Sequence, residues 1–325
     1  MSIVCGIDFS RWSLAAMRFS AALAHRLNQE LWLVHVVPLD AKESEKTQGT
    51  ALSQGTHQLD ALRASLAHLP VRVKTQSVTG PPSDALLEAA HRLDASLLVV
   101  GSAGHSDRPL GQLGGTSERI AAQGALPVVV VRDDESLARW TSGAPLRVLI
   151  GVDGSMSSAA AVRWVERLRA VAPVDVVLGQ IYYADEAARH YGVSHSAPLE
   201  VADPQLESLL ERDLRQRIPS LRGEGALVHR AKLGLGRIGD HLAEMARDER
   251  CQLIAVGTHG KRGIARWWSV SAAALHLSRT AVAVIPSEPE ITSGAHQRLR
   301  HLLVSTDFSE CGNAALPWAY DMAAP

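Results

Sequence analysis

The chain is short of most features that would announce a chemistry. Its three cysteines, Cys5, Cys251 and Cys311, are widely spaced and odd in number, with no C-x-x-C pair, which argues against a zinc site or a redox dithiol and for buried, inert thiols. No apolar run approaches the ~20 residues needed to cross a bilayer. The opening MSIVCGIDFS enters a strand-like run with neither a basic region nor a long apolar stretch ahead of it, so the expected location is the cytoplasm. Nor is there an excess of charge: 33 Lys and Arg against 34 Asp and Glu leave −1, so no overall field recruits nucleic acid or anionic lipid. Nucleophile motifs are missing as well, with no G-x-S-x-G elbow and no H-E-x-x-H, and no catalytic residue or protein-held metal is assigned.

What is present is alternation. With 325 residues, 46% of them hydrophobic, the chain is long enough for two cores of about 150 residues each. Residues 2–8 read as a strand ending in a carboxylate, with Ser10 or Ser13 as cap for a helix carrying Leu14, Met17, Ala21, Ala24 and Leu27. Strand 30–37 follows, then a polar stretch 41–56 read as a loop, and a helix bearing Leu59, Leu62 and Leu66. Strand 71–78 comes next, then a helix that Ser83 can cap, with Leu86, Ala90 and Leu93 on its buried stripe. Strands and helices taken in turn predict a parallel, doubly wound α/β sheet.

The pattern repeats. GIDFSRWSLAAMRF, GVDGSMSSAAAVRW and STDFSECGNAALPW open three units, with aspartates at Asp8, Asp153 and Asp307. The second unit continues with strands 148–153, 174–182, 226–232, 253–257 and 281–285, and with helices near 162–165, from about 203, and over 238–246. The third has a strand (LLVST) and a helix from about 313. The expected organisation is a first domain over 1–133, a linker over 134–146, a second domain over 147–286, a linker over 287–297 and a partial third repeat over 298–325.

Chemistry concentrates in LLVVGSAGHSDRPLGQLGGTSERIAAQGALPVVVVR, residues 97–132. Two short valine-rich strands bracket Gly101, Gly104 and Gly114, spaced G, two residues, G, nine residues, G, and Ser117 opens an amphipathic segment. That order brings backbone N–H groups and a helix N-terminus to the carboxyl end of a strand, where an anion is favourably held.

The glycine spacing, the D-x-S turn and the strand ending HVV together resemble the universal stress protein family over residues 1–286, in family order. The resemblance implies two doubly wound domains of the adenine nucleotide alpha hydrolase-like type, each a five-stranded parallel sheet of order 3-2-1-4-5, which pair through their last strands or form homo-oligomers. It implies an ATP or related adenine nucleotide ligand, with Mg²⁺. Asp8 and the backbone of Val36 would meet the adenine end, Gly101 and Gly104 the ribose and first phosphate, and Gly114, Gly115, Thr116 and Ser117 the outer phosphates. Gly115 stands where the family has its first hydroxyl, with Thr116 one place late.

The second unit keeps Asp153, Ser155, Gly257 and Gly260, but only seven residues separate Gly260 from Trp268, which takes the third glycine's place. An indole there should obstruct a phosphate, so one nucleotide per chain, in the first unit, is expected. The functional reading is a nucleotide-binding regulatory module of the stress response in which the second domain serves pairing. The alternatives are an interaction scaffold that binds no nucleotide, or a slow ATP hydrolase or adenylyl-transfer enzyme. The SGGxDS loop of ATP pyrophosphatases and the HIGH and KMSKS signatures of nucleotidyl transferases are absent.

Overall fold

Strand β1 (Ser2–Ile7) is buried along all six residues, as its apolar run requires of a strand covered on both faces. The computed structural model describes residues 1–38, 45–104, 113–123, 126–132, 137, 140, 144–193, 200–258 and 270–287. The partial third repeat, residues 298–325, and Gly260, Trp267 and Trp268 lie outside the described residues.

After β1 come α1 (Arg11–Leu27), β2 (Glu30–Val37), α2 (Glu45–Ser65), β3 (Val73–Thr79), α3 (Pro82–Arg92), β4 (Ala95–Gly101), α4 (Gly115–Gln123) and β5 (Val128–Val131). The second half runs through β6 (Leu146–Gly151), α5 (Met156–Arg169), β7 (Val174–Tyr182), α6 (Ala184–Tyr191), α7 (Pro204–Arg217), β8 (Leu227–Leu233), α8 (Ile238–Asp248), β9 (Leu253–Thr258), α9 (Val270–Leu277) and β10 (Ala281–Pro286). The fold class is the one expected, α/β with a parallel-dominated sheet. All ten strands lie in one sheet of order β3-β2-β1-β4-β5-β10-β9-β6-β7-β8.

Every neighbouring pair is parallel except β5 and β10, which run antiparallel with Val130 opposite Val282 and Val128 opposite Val284. Neither PVVVV nor AVAVI is therefore a sheet edge; the outer strands are β3 and β8, which carry Lys74, Gln76, Arg230 and Lys232 among their side chains. The apolar layers run across the join. Phe19, Leu23, Trp164 and Val165 belong to one continuous cluster, and Leu86, Ile120, Leu242 and Met245 to another.

Four local features differ from the sequence reading. The stretch 41–56, read as a loop, is helical from Glu45, and Gly55 explains how that helix reaches the sheet: a Cβ there would stand 2.6 Å from the His35 ring. The polar segment after β7 contains α6, closed by Gly192 in the left-handed conformation. Ser83 does not cap α3, which begins on Pro82 without a side-chain cap; Ser83 Oγ instead lies 3.2 Å from Asp84 Oδ1. Finally, within 134–146, Leu137 and Trp140 are buried in the core, Trp140 with 2% exposure. The Trp140 ring lies 5.4 Å from Phe19 and under the Arg26 guanidinium, which also donates to the Trp140 carbonyl at 2.9 Å.

Arg132, next after β5, is buried, and its guanidinium donates to the Leu275 carbonyl in the last turn of α9. Burial pushes its pKa down to about 10. The thiols of Cys5 and Cys251 are also buried, which pushes both pKa values up to about 12 and leaves them protonated and unreactive.

Candidate functional site

A parallel strand that ends in D-x-S builds the same turn in both halves. In the first, the Ser10 N–H donates to Asp8 Oδ1 at 3.0 Å, Ser10 Oγ accepts from the Ser13 N–H at 3.3 Å, and Ser13 Oγ donates to the Ser10 carbonyl at 3.0 Å. In the second, the three corresponding bonds link Ser155 to Asp153 at 2.9 Å, Ser158 to Ser155 at 3.2 Å, and Ser158 Oγ to the Ser155 carbonyl at 2.9 Å. Ser10 and Ser155 are the N-caps of α1 and α5. Each carboxylate is thereby fixed at the carboxyl end of its half-sheet, the crevice side of an open α/β fold. Burial raises the pKa of Asp153, but hydrogen bonds from Ser155 and Ser158 outweigh it and hold the group below the usual carboxylate range, so it is charged at neutral pH.

Above Asp8 the described part of the glycine loop closes on itself. Gly114 N–H donates to the Ser102 carbonyl at 2.7 Å, and Ser117 Oγ donates to the Gly101 carbonyl at 2.6 Å. Ser117 therefore sits in the first turn of α4 and ties it to β4 rather than capping the helix. Gly104 lies over the carboxylate, where a Cβ would stand 3.0 Å from Asp8 Oδ2. The first intrahelical bond of α4 runs from Glu118 N–H to the Gly114 carbonyl at 3.0 Å, leaving the N–H groups of Gly115, Thr116 and Ser117 without an intrahelical acceptor. Gly115 is exposed, and among the described residues nothing lies within 4 Å of a Cβ built on it.

Two of the predicted residues also have packing roles. A Cβ on Gly101 would meet the Trp12 carbonyl carbon at 2.7 Å and the Ser13 nitrogen at 2.8 Å, so this glycine lets α1 approach β4. Gly257 does the same in the second half, where a Cβ would overlap the Ser157 carbonyl. The Val36 side chain is core, with 8% exposure, and its partner in the β3 register is Val78. Asp8, Gly104, Gly114, Gly115, Thr116 and Ser117 gather at one end of the half-sheet.

In the second half the described residues line a cavity of about 280 Å³. Asp153, Ser155, Gly257, Thr258 and Ser271 are on its polar side, and Ile181, Ile238, Leu242 and Val256 on its apolar side. Its wall includes Glu118, Ala121 and Ala122, which belong to α4 of the first half. Glu118 Oε1 lies 3.7 Å from His276 Nε2 of α9. Neither Glu118 nor His276 is singled out by the sequence, and only the β5–β10 pairing brings them together. Among the described residues no group of three or more His, Cys, Asp or Glu side chains is placed to hold a metal ion, and no helix is long and apolar enough to cross a membrane.

Against known proteins, the family model described as "Universal stress protein family" matches twice, over residues 1–132 and 146–286. Universal stress protein Rv2005c of Mycobacterium tuberculosis is 28% identical over 297 residues, covering 87% of this chain and 96% of its own length. Universal stress protein Rv2623 of the same organism is 29% identical over 301 residues, with 87% and 96% covered. A crystal structure of a universal stress protein from Archaeoglobus fulgidus superposes with a TM-score of 0.66 at 14% identity, covering 88% of this chain and 98% of its own.

Proposed function

Because the chain belongs to the universal stress protein family, we propose that it is an adenine-nucleotide-binding regulatory module of the stress response whose first half, 1–133, takes ATP. The second half, 147–286, serves chiefly as its pairing partner, with 134–146 and 287–297 as connections and 298–325 as the start of a third repeat.

The observation that supports this reading is the open start of α4. Three successive N–H groups without an intrahelical acceptor, at an exposed glycine where a built Cβ meets no described residue within 4 Å, form a place where phosphate oxygens can accept directed hydrogen bonds. Asp8, under Gly104, supplies a fixed acceptor for the amine-bearing end of the ligand. Ser117 holds the start of α4 against β4, so the donors are oriented before the ligand arrives. Mg²⁺ would travel with the phosphates and offset their charge, because the described residues build no carboxylate cluster for it. We assign binding rather than turnover as the role: of the described groups at this cradle, Asp8 is held in its own turn by the Ser10 N–H and Ser117 Oγ is spent on the Gly101 carbonyl.

Equilibrium dialysis of the full chain against labelled ATP with Mg²⁺ tests the reading. One ATP per chain is expected, abolished by Gly115→Trp, whose side chain has room in the fold and fills the cradle, and retained in Asp153→Ala. Two bound ATP molecules, none, or one lost through Asp153→Ala would overturn the assignment. Steady release of phosphate by the purified chain would favour the hydrolase alternative.

A further inference from the structure

The sheet ends on β3 and β8, which occupy equivalent places in the two halves, and their outer edges differ. The Val176 N–H donates to the Ala226 carbonyl at 2.8 Å and the Gly234 N–H to the Tyr182 carbonyl at 2.7 Å, which turns the backbone groups of Leu227, His229, Ala231 and Leu233 away from β7. Helix α7 seals that edge. The Ala231 N–H donates to Glu211 Oε1 at 3.3 Å, the His229 ring bonds to the Ile218 carbonyl at 2.9 Å, and Leu233 packs with Leu206 and Leu210.

On β3 the ladder to β2 is closed by the Leu31 N–H on the Arg72 carbonyl at 2.9 Å and by the Gly80 N–H on the Val37 carbonyl at 3.1 Å, so Val73, Thr75, Ser77 and Thr79 turn their N–H and C=O groups outward. Among the described residues none of these outward groups has a partner. Helix α2 meets the strand through hydroxyls instead: Thr75 Oγ1 donates to Asp60 Oδ1 and Thr56 Oγ1 to Ser77 Oγ, both at 3.1 Å. Nor does charge guard the edge, because Lys74 is drawn back over β2, its Nζ 2.9 Å from Glu30 Oε2 and 5.0 Å from the centre of the Trp32 ring. Beside Ser77, Val78 and Thr79 a cavity of about 330 Å³ opens between Leu52 of α2 and Ala85 of α3, which leaves room for another strand's side chains. Residues 39–44, ahead of α2, lie outside the described residues.

This edge is complementary to itself. Its outward groups match those of a second β3 running antiparallel, with Thr75 opposite Ser77, Val73 opposite Thr79 and Gln76 on the twofold axis. Lys74 then lies opposite Val78, so no like charges face each other across the pair. Charge favours the same direction. Arg72 and Lys74 share the single carboxylate of Glu30 at the amino end of the edge. At the carboxyl end Glu88 lines the cavity, exposed and without an ion pair among the described residues, while Arg92 is held on Gln76 at 3.1 Å. Antiparallel copies bring the surplus cation of each to the Glu88 of the other, whereas parallel copies set like ends together.

We propose that the outer edge of β3 is an interface between two copies of this chain, joined antiparallel about Gln76 so that the sheet continues from one copy into the other. It uses neither the β5–β10 join nor the cradle at α4, so it stands whether or not the first half binds ATP.

Sedimentation of the full chain from dilute to concentrated solution should show monomer converting to dimer. Amide exchange at 73, 75, 77 and 79 should slow as the chain is concentrated, and that of Ala231 should not. Gln76→Cys in a Cys311→Ser background brings two Cα atoms to ~4.5 Å and should cross-link the dimer under mild oxidation; Lys74→Cys, about 13 Å from its counterpart, should not, and the remaining Cys5 and Cys251 are buried. Thr79→Pro removes an outward N–H at the end of an edge strand, where proline is tolerated, and should weaken dimerisation at least about tenfold. Glu88→Lys, on an exposed helix face, should weaken it roughly tenfold. If Thr79→Pro fails to fold, Glu88→Lys and the cross-link decide. A chain that stays monomeric when concentrated, a dimer unmoved by both substitutions, or failure of Gln76→Cys to cross-link would each overturn the proposal. So would edge amides already protected in dilute solution, since another segment of the same chain would then cover the strand.

Discussion

The two halves build the same strand-one turn from the same three hydrogen bonds and then diverge in what lies above it. Over Asp8 the loop comes down until Gly104 faces the carboxylate, and the open space is at Gly115, at the helix start. Over Asp153 the open space is beneath, between the sheet and α8 and α9, and reaches to α4 of the other half. Duplication kept the part of the fold that fixes a carboxylate. What packs above that turn differs between the halves, because a turn is set by its own backbone whereas a cavity is set by whatever surrounds it. The two half-sheets thus present different described surfaces at the same end: backbone N–H groups at the start of α4 in the first, and the Asp153 carboxylate with the Ser155, Thr258 and Ser271 hydroxyls around a cavity in the second.

The comparison is broken most severely at the glycines where each helix start meets its strand. Alanine at Gly257 must displace the Ser157 carbonyl, and at Gly101 the Trp12 and Ser13 backbone, so each substitution should cost about 2–3 kcal/mol, with Gly257 the worse. Denaturant titration of the two variants checks the order; equal, negligible losses would mean that the helices shift freely and the shared turn is not held by this contact.

A smaller effect separates the halves at their opposite rims. Glu249 lies between Arg147 at 2.7 Å and Arg230 at 2.6 Å, while Glu30 lies between Arg72 and Lys74, both at 2.9 Å, with more solvent around it. Burial raises the Glu249 pKa, but the hydrogen bonds from Arg230 and Arg147 outweigh it and hold the group below the ordinary glutamate range. Glu249→Gln should therefore cost about 1.5 kcal/mol at neutral pH, and Glu30→Gln less. The sign follows from the lowered value. The Glu249 contribution is complete above the unfolded pKa of about 4.3 and is lost as pH falls through the lower value in the fold, so parent and variant stabilities should converge in acid. A difference that persisted through the acid range would refute the ion-pair origin.

The mildest test sharpens the likeness. Ser10→Ala and Ser155→Ala each remove one helix cap with the same geometry, at 3.3 Å and 3.2 Å, and should each cost about 1 kcal/mol. Thermal unfolding that separated the two by more than this would show that identical local bonds are weighted differently by the two halves.

How much of this was legible in the sequence depended on whether the signal was local. The β-branched runs, such as Val128–Val131, are strands wherever they are placed, and the α/β alternation followed from them. Asp203 announced α7, which it caps by accepting from Gln205 and Leu206. By contrast the polar composition of 41–56 made the start of α2 look like a loop, because a solvent-facing helix and a loop share that composition, and only the packed structure shows Gly55 letting this helix close on His35. Gly101 carries a second role that its spacing did not disclose: its missing side chain lets α1 approach β4. The burial of Trp140 was hidden in a stretch whose composition says linker. Glu118 could not have been found at all, since its place in the second half's cavity depends on a pairing of strands about 150 residues apart.

That pairing has a consequence for how the chain is made. Val128 and its partner Val284 leave the ribosome separated by the whole second half, which at roughly 5–20 residues per second is a delay on the order of 10–30 s. Throughout that interval the first half, even when folded, presents VVVV with an open backbone edge, the kind of segment that templates aggregation between nascent chains. Synthesis rate and chaperone occupancy during this window, more than the stability of the finished sheet, should therefore govern how much of the protein accumulates in active form, and synonymous changes that slow translation of the second half should lower the soluble yield without altering a single residue.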